Sequence, residues 1–102
     1  AKSLDIIRAI LDGGGTVRAY DPVAEQNVRE LFPELTYVNG ADEVAEGTDA
    51  LIVVTEWNEF RGVDLSALAN RTKGRLLFDG RRLYPRARAE AAGFEYHTIG
   101  SQ

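Results

Sequence analysis

A chain of 102 residues has room for one compact domain spanning 1–102, since single domains commonly run to about 100–150 residues. A hydrophobic share of 44% without low-complexity blocks is enough to bury a core, and a formal net charge of −4 argues against a nucleic-acid partner, which calls for clustered Lys and Arg. With no cysteine and a single histidine, His97, the chain has no disulfide framework, no thiolate nucleophile and no metal site built on two histidines. No apolar run approaches the roughly 18 residues that span a bilayer and no signal peptide is legible, so no membrane partner is expected and a cytoplasmic setting is the default. The opening Ala1-Lys2-Ser3, without an initiator Met and almost inside a helix, leads to the expectation of further protein upstream.

In chain order, Ser3 can cap a helix over 4–12 in which Leu4, Ile7 and Leu11 recur at helical spacing, and Gly13-Gly14-Gly15 follow as its stop. Thr16–Tyr20 predict a strand that ends at Asp21-Pro22. A helix over about 23–32 carries Val28, Leu31 and Phe32 on one side and stops before Pro33. Leu35–Val38 predict a short strand and Asp42–Glu46 a short helix closed by Gly47. Ala50–Thr55 form an apolar, β-branched run, the pattern of a strand covered on both faces and therefore placed at the sheet's centre. Trp57 and Phe60 fall in a loop or helical turn. Asp64 caps a helix through Leu65 and Leu68, and Arg75–Phe78 supply another strand. Pro85 begins a helix to about Ala92 with Gly93 as its stop; Phe94–Ile99 make a last strand.

Helices and strands thus alternate throughout, which predicts an α/β fold with a parallel sheet, right-handed crossovers and helices on both faces. Ligands of such sheets bind beyond the carboxyl ends of strands, which directs attention to Asp21, Thr55–Trp57 and Asp79–Arg82. Gly13–Gly15 follow a helix and open a strand, the reverse of a dinucleotide-binding loop. Asp21 reads as an Asp-Pro turn before it reads as a ribose-binding acid. Trp57 and Phe60 could equally cover the end of the core, and Glu56 could be a carboxylate favoured at a helix start. Asp79-Gly80-Arg81-Arg82 carry the best chemical signal: Gly80 lets backbone approach a ligand, and an Arg offers a planar fork for phosphate or carboxylate. Arg pairs are also often only solvated, so both readings stay open. Arg86 and Arg88 are expected on the polar face of a helix, and His97 at the surface.

The segments Ser3–Ile7, Val17–Pro22, Thr55–Phe60 (TEWNEF), Phe78–Arg82 (FDGRR) and Gly93–Tyr96 (GFEY) together resemble, in order and spacing, the C-terminal domain of UDP-glucose dehydrogenases, over nearly the whole chain. The resemblance implies a Rossmann-like three-layer α/β/α domain that helps to enclose UDP. It also implies a full-length enzyme that oxidises UDP-glucose to UDP-glucuronate with NAD, an N-terminal domain that holds the NAD, and a homo-oligomer. The family's catalytic Cys and NAD loop lie before this domain, so the chain alone is expected to be inactive. The family's first strand of the domain, ending in Phe-Lys, also precedes Ala1. By the same likeness Arg81 contacts the nucleotide sugar, Asp79 and Gly80 shape its loop, and Arg82 lies beside it. Two readings of other classes fit the residues: a stand-alone nucleotide- or phosphate-binding module anchored by Arg81, and a structural assembly domain using Trp57 and Phe60.

Overall fold

Residues 2–20, 29–54 and 58–98 are described by a computed structural model, and the chain divides into two units, Ala1–Val44 and Ala45–Gln102.

In the first unit α1 spans Lys2–Asp12. It begins two residues early, so Ser3 lies within the first turn instead of ahead of it. Leu4, Ile7, Ile10 and Leu11 are half-buried while Asp5, Arg8 and Asp12 are exposed, the stripe expected of an amphipathic helix. The glycine stop forms as predicted: Gly13 N donates to Ala9 O at 3.1 Å, Gly15 N to Ile10 O at 2.9 Å, and Gly14 takes a φ of 90°, which a residue with a Cβ rarely adopts. Strand β1 is only Arg18–Ala19 and pairs in parallel with β2, Thr36–Tyr37; Thr36 N to Val17 O and Val38 N to Ala19 O continue the ladder at 3.2 and 3.0 Å. Of the expected helix over 23–32, residues 29–31 are helical; Asp21, Pro22 and Val28 lie outside the described residues. Phe32 is buried and its carbonyl accepts from Tyr37 Oη at 2.7 Å. The Arg8 guanidinium sits 4.7 Å from the Phe32 ring centre and that of Arg29 4.6 Å from the ring of Tyr37. The short helix α2 spans Ala41–Ala45, its last residue being the first of the second unit.

The second unit is built on a three-stranded parallel sheet, β3 (Ala50–Val53), β4 (Leu76–Asp79) and β5 (Glu95–Thr98), in the order β3-β4-β5. Every described strand pair is parallel, and the strands alternate with helices, the Rossmann-like α/β arrangement expected; the described strands fall into two small sheets. Two expectations are corrected. The apolar run does not occupy the centre of this sheet: β4 is the middle strand, β3 an edge of it, and Ile52 and Val54 are 37% and 36% exposed. The strand expected at 75–78 runs over 76–79, so Asp79 belongs to the strand and not to the loop. Alternation puts Leu77 and Asp79 on one face, and Leu77 pairs in register with Tyr96.

Helices α3 (Asn58–Arg61), α4 (Leu65–Arg71) and α5 (Arg86–Ala91) complete the unit. Asp64 caps α4 as predicted, its Oδ1 accepting from Ala67 N at 3.2 Å. Pro85 is the N-cap of α5, and Gly93 follows its end. Between α4 and β4 the backbone passes very close to the start of β3: Gly74 N donates to Thr48 O at 3.1 Å, and a Cβ at Gly74 would stand 2.2 Å from Asp49 O. No other residue type fits there without displacing backbone. The buried side chains Leu65, Leu68, Leu77, Leu83, Ala89 and Phe94 form this unit's core.

Candidate functional site

The segment after β4 is organised by one side chain. Asp79 is fully buried, because alternation along β4 turns it to the same face as Leu77. A carboxyl group in such a place must be given hydrogen-bond donors, and the loop that follows supplies them. Arg81 N donates to Oδ1 at 3.2 Å, and Tyr84 N donates to Oδ2 at 2.9 Å. From β5, the Tyr96 hydroxyl stands 2.8 Å from Oδ2 and 2.8 Å from the Tyr84 carbonyl oxygen. Tyr84 therefore has its N–H taken by Asp79 and its C=O faced by Tyr96, as though a strand lay alongside it. Gly80 N donates to Val53 O at 2.8 Å, which carries the β3–β4 ladder one residue beyond β4.

Between these anchors Arg81 and Arg82 are exposed at the carboxyl end of β4. Arg82 has a φ of 52°, the one positive value at a non-glycine among the described residues. Of the four residues singled out from sequence, Gly80, Arg81 and Arg82 form the exposed turn. Asp79 lies beneath it with its oxygens turned to the loop backbone and Tyr96.

Two tyrosines to which the sequence assigned no role, Tyr96 having entered only within the Gly93–Tyr96 segment, complete the arrangement. Burial pushes the Tyr84 phenol up to about 12, against the nearby Arg88 guanidinium. Burial and the hydrogen bond to Asp79 push Tyr96 up to about 12 as well. Both hydroxyls thus remain donors through the neutral range. Tyr84 Oη donates to the Phe60 carbonyl at 2.5 Å, which ties α3, on the segment following β3, to the loop following β4. Trp57 lies outside the described residues; Phe60 is half-buried. The signal that could have found Tyr96 is its alternation with Glu95 and His97, which sets it on the opposite face from both.

Arg86 and Arg88 are exposed, as expected of a helix's polar face, yet they also hold backbone. Arg86 Nη1 donates to Tyr96 O at 3.0 Å, with its guanidinium 5.1 Å from the Tyr96 ring centre. Arg88 donates to Arg61 O at 2.8 Å and Val63 O at 2.6 Å, at the last residue of α3 and just beyond it, where carbonyls lack helical partners. Non-local carbonyl partners of this kind leave no mark in local sequence. His97 is partly exposed, as expected; its ring stacks on Phe78 at 5.2 Å and its Nε2 lies 2.7 Å from Glu95 Oε2. No group of three metal-ligating side chains occurs among the described residues, and no described helix is long and apolar enough to cross a membrane.

Parallel strands alternating with helices, with a basic turn at the carboxyl end of a strand, define an α/β domain of the class that takes nucleotides at its strand ends. The chain belongs to the UDP-glucose/GDP-mannose dehydrogenase family, whose UDP binding domain it matches over residues 1–86. It is 42% identical to a UDP-glucose 6-dehydrogenase of Pseudomonas aeruginosa, the match covering 98% of this chain and 23% of that protein. It is 37% identical to the UDP-glucose 6-dehydrogenase of Rhizobium meliloti, covering 96% and 22%. Among solved structures, a UDP-D-ManNAc dehydrogenase from Pyrococcus horikoshii superposes with a TM-score of 0.58 at 15% identity, over 92% of this chain and 28% of the other, which bears on the fold alone. The chain spans about a quarter of the length of these relatives.

Proposed function

We propose that residues 1–102 are the UDP-holding domain of a UDP-glucose 6-dehydrogenase, and that Arg81 contacts the nucleotide sugar from the turn after β4. The observation that carries this reading is the buried Asp79, which spends both oxygens on the backbone and neighbours of that turn and so presents Arg81 at a strand end, in a chain of this family. Gly80 allows the turn to lie close to a ligand, and Arg82 flanks it. Arg suits this task because its planar fork donates two parallel hydrogen bonds to phosphate oxygens.

NAD and the catalytic thiol belong, in this reading, to the remaining domains of the same enzyme, which works as a cytoplasmic homo-oligomer. Support comes from two features of the chain: it contains no cysteine, and its Gly13–Gly15 run closes α1 and leads to β1, in the wrong order for a loop that would cradle a dinucleotide. The full-length enzyme would oxidise UDP-glucose to UDP-glucuronate with NAD as the hydride acceptor, and the chain alone would turn nothing over.

The test is calorimetric titration of the intact enzyme with UDP-glucose and, separately, with NAD. Loss of a charged hydrogen bond costs about 1.5–3 kcal/mol, so Arg81→Ala weakens UDP-glucose binding on the order of ten- to a hundredfold and leaves NAD affinity unchanged. Arg82→Ala has the smaller effect. Unaltered UDP-glucose affinity in a folded Arg81→Ala enzyme overturns the assignment.

A further inference from the structure

We propose that Tyr96 is a positioning residue for nucleotide-sugar binding, setting the Arg81 turn from β5 through the rigid carboxylate of Asp79; this rests on the Arg81 reading above. A carboxylate is planar, so its two oxygens turn together: whatever fixes Oδ2 also fixes Oδ1. Oδ2 is held at two points, by Tyr84 N at 2.9 Å and Tyr96 Oη at 2.8 Å. Oδ1 faces the backbone N–H of Arg81 at the longer distance of 3.2 Å. The grip on the binding residue is therefore the weaker end of a lever whose stronger end is held by the tyrosine.

Tyr96 also faces the Tyr84 carbonyl at 2.8 Å, so it touches the far end of the same turn. Its own place is secured apart from the turn: it sits within β5 in register with Leu77, is 5% exposed, and has Arg86 bound to its carbonyl. Removing the hydroxyl leaves the strand intact and takes from this buried setting the single O–H that Oδ2 and the Tyr84 carbonyl share. The carboxylate then turns to recover donors, and Oδ1 moves off Arg81 N.

The test uses steady-state kinetics of the intact dehydrogenase. Tyr96→Phe raises KM for UDP-glucose about three- to tenfold, less than the direct loss at Arg81 because only part of the change at the carboxylate reaches that residue, while KM for NAD and kcat stay within about twofold of wild type. A merely structural role predicts no such split, and Leu77→Val, which loosens the same face of the sheet without touching the carboxylate, leaves both KM values in place. In the double variant Arg81→Ala/Tyr96→Phe the tyrosine change adds nothing to the loss from Arg81→Ala, because its effect passes through that residue. If Tyr96→Phe does not accumulate as folded enzyme, Asp79→Asn serves in its place. It leaves one acceptor oxygen in place of two, so either Arg81 N or Tyr84 N loses its partner whichever way the amide turns, and gives the same selective rise. An unchanged KM for UDP-glucose in these variants, or additive losses in the double variant, overturns the role of Tyr96 while leaving Arg81 in place. An unchanged KM in Arg81→Ala alone overturns the binding site and this inference with it.

Discussion

The two units of the chain achieve order by different means. In the first, strands two residues long pair over a short ladder, and two of its described large side chains, Phe32 and Leu35, are buried. Arginines laid over Phe32 and Tyr37 supply contacts at the rim. In the second, four-residue strands pair in full register, and a polar cluster of Asp79, Tyr84 and Tyr96 is buried. A buried polar cluster is tolerable only where every member is satisfied, and satisfaction of that kind specifies one geometry. The candidate binding turn grows out of this cluster, so the more exacting packing lies in the unit whose loop has to present a side chain accurately.

The largest effect expected from this difference is at Gly74. A Cβ there would stand 2.2 Å from Asp49 O, and the obstacle is backbone that cannot rotate away. Gly74→Ala is expected to cost about 3 kcal/mol. Gly40 in the first unit has open space around its would-be Cβ, and Gly40→Ala is expected to stay within about 0.5 kcal/mol. Urea unfolding of both variants measures the contrast; equal midpoints would mean that the second unit is no more tightly packed than the first.

How far these features could be read from sequence follows the range over which they are encoded. The stops at Gly13–Gly15 and Gly93, the Asp64 cap and the Pro85 start are local chemistry, and all appear where expected. The alternation of helices with strands is nearly as local, and it gave the parallel α/β class. Strand order is not encoded in the same way: the run Ala50–Thr55 is apolar enough for a centre, yet apolarity reports burial and not neighbours, and β4 holds the middle of the described sheet. The turn Gly80–Arg82 stood out by its residue types. Its support did not, because Tyr96 lies 17 residues from Asp79 and Tyr84 meets Phe60 across 24, and no pattern of spacing announces such partners.

A second, smaller effect separates the units by pH. The Tyr84 and Tyr96 phenols rise from 10.0 to about 12 in the folded protein. A raised folded value means the folded state keeps a proton that the unfolded state has released, so the contribution is fully present below about pH 10 and is lost as pH climbs toward 12. Because both phenols depend on the same Asp79, the pair together is worth on the order of 2 kcal/mol across that window. Stability should fall steeply there, with late phenolate absorbance, and Tyr84→Phe and Tyr96→Phe should each flatten the fall. A wild-type profile that is level between these pH values would show that the cluster is open to water.

The smallest effect tests the turn itself. Arg82 holds a φ of 52°, where a Cβ crowds the following carbonyl at a cost of about 1–2 kcal/mol, and it does so because Asp79 fixes both ends of the turn. Arg82→Gly removes that crowding but adds freedom to the unfolded chain worth about 0.5–1 kcal/mol. A net gain of about 0.5 kcal/mol is expected. Arg82→Ala keeps the crowded backbone and discards the side chain's contacts, so it should fall below both wild type and the glycine variant. Arg81, which has no positive φ, supplies the internal control: there Ala should be more stable than Gly. Urea midpoints at constant m-value read all four variants. A glycine no better than alanine at position 82 would mean that the turn relaxes freely in solution, and a turn that relaxes freely could not be steered by a carboxylate beneath it. The ranking at position 82 therefore bears on the lever from Tyr96 through Asp79 as directly as on the turn.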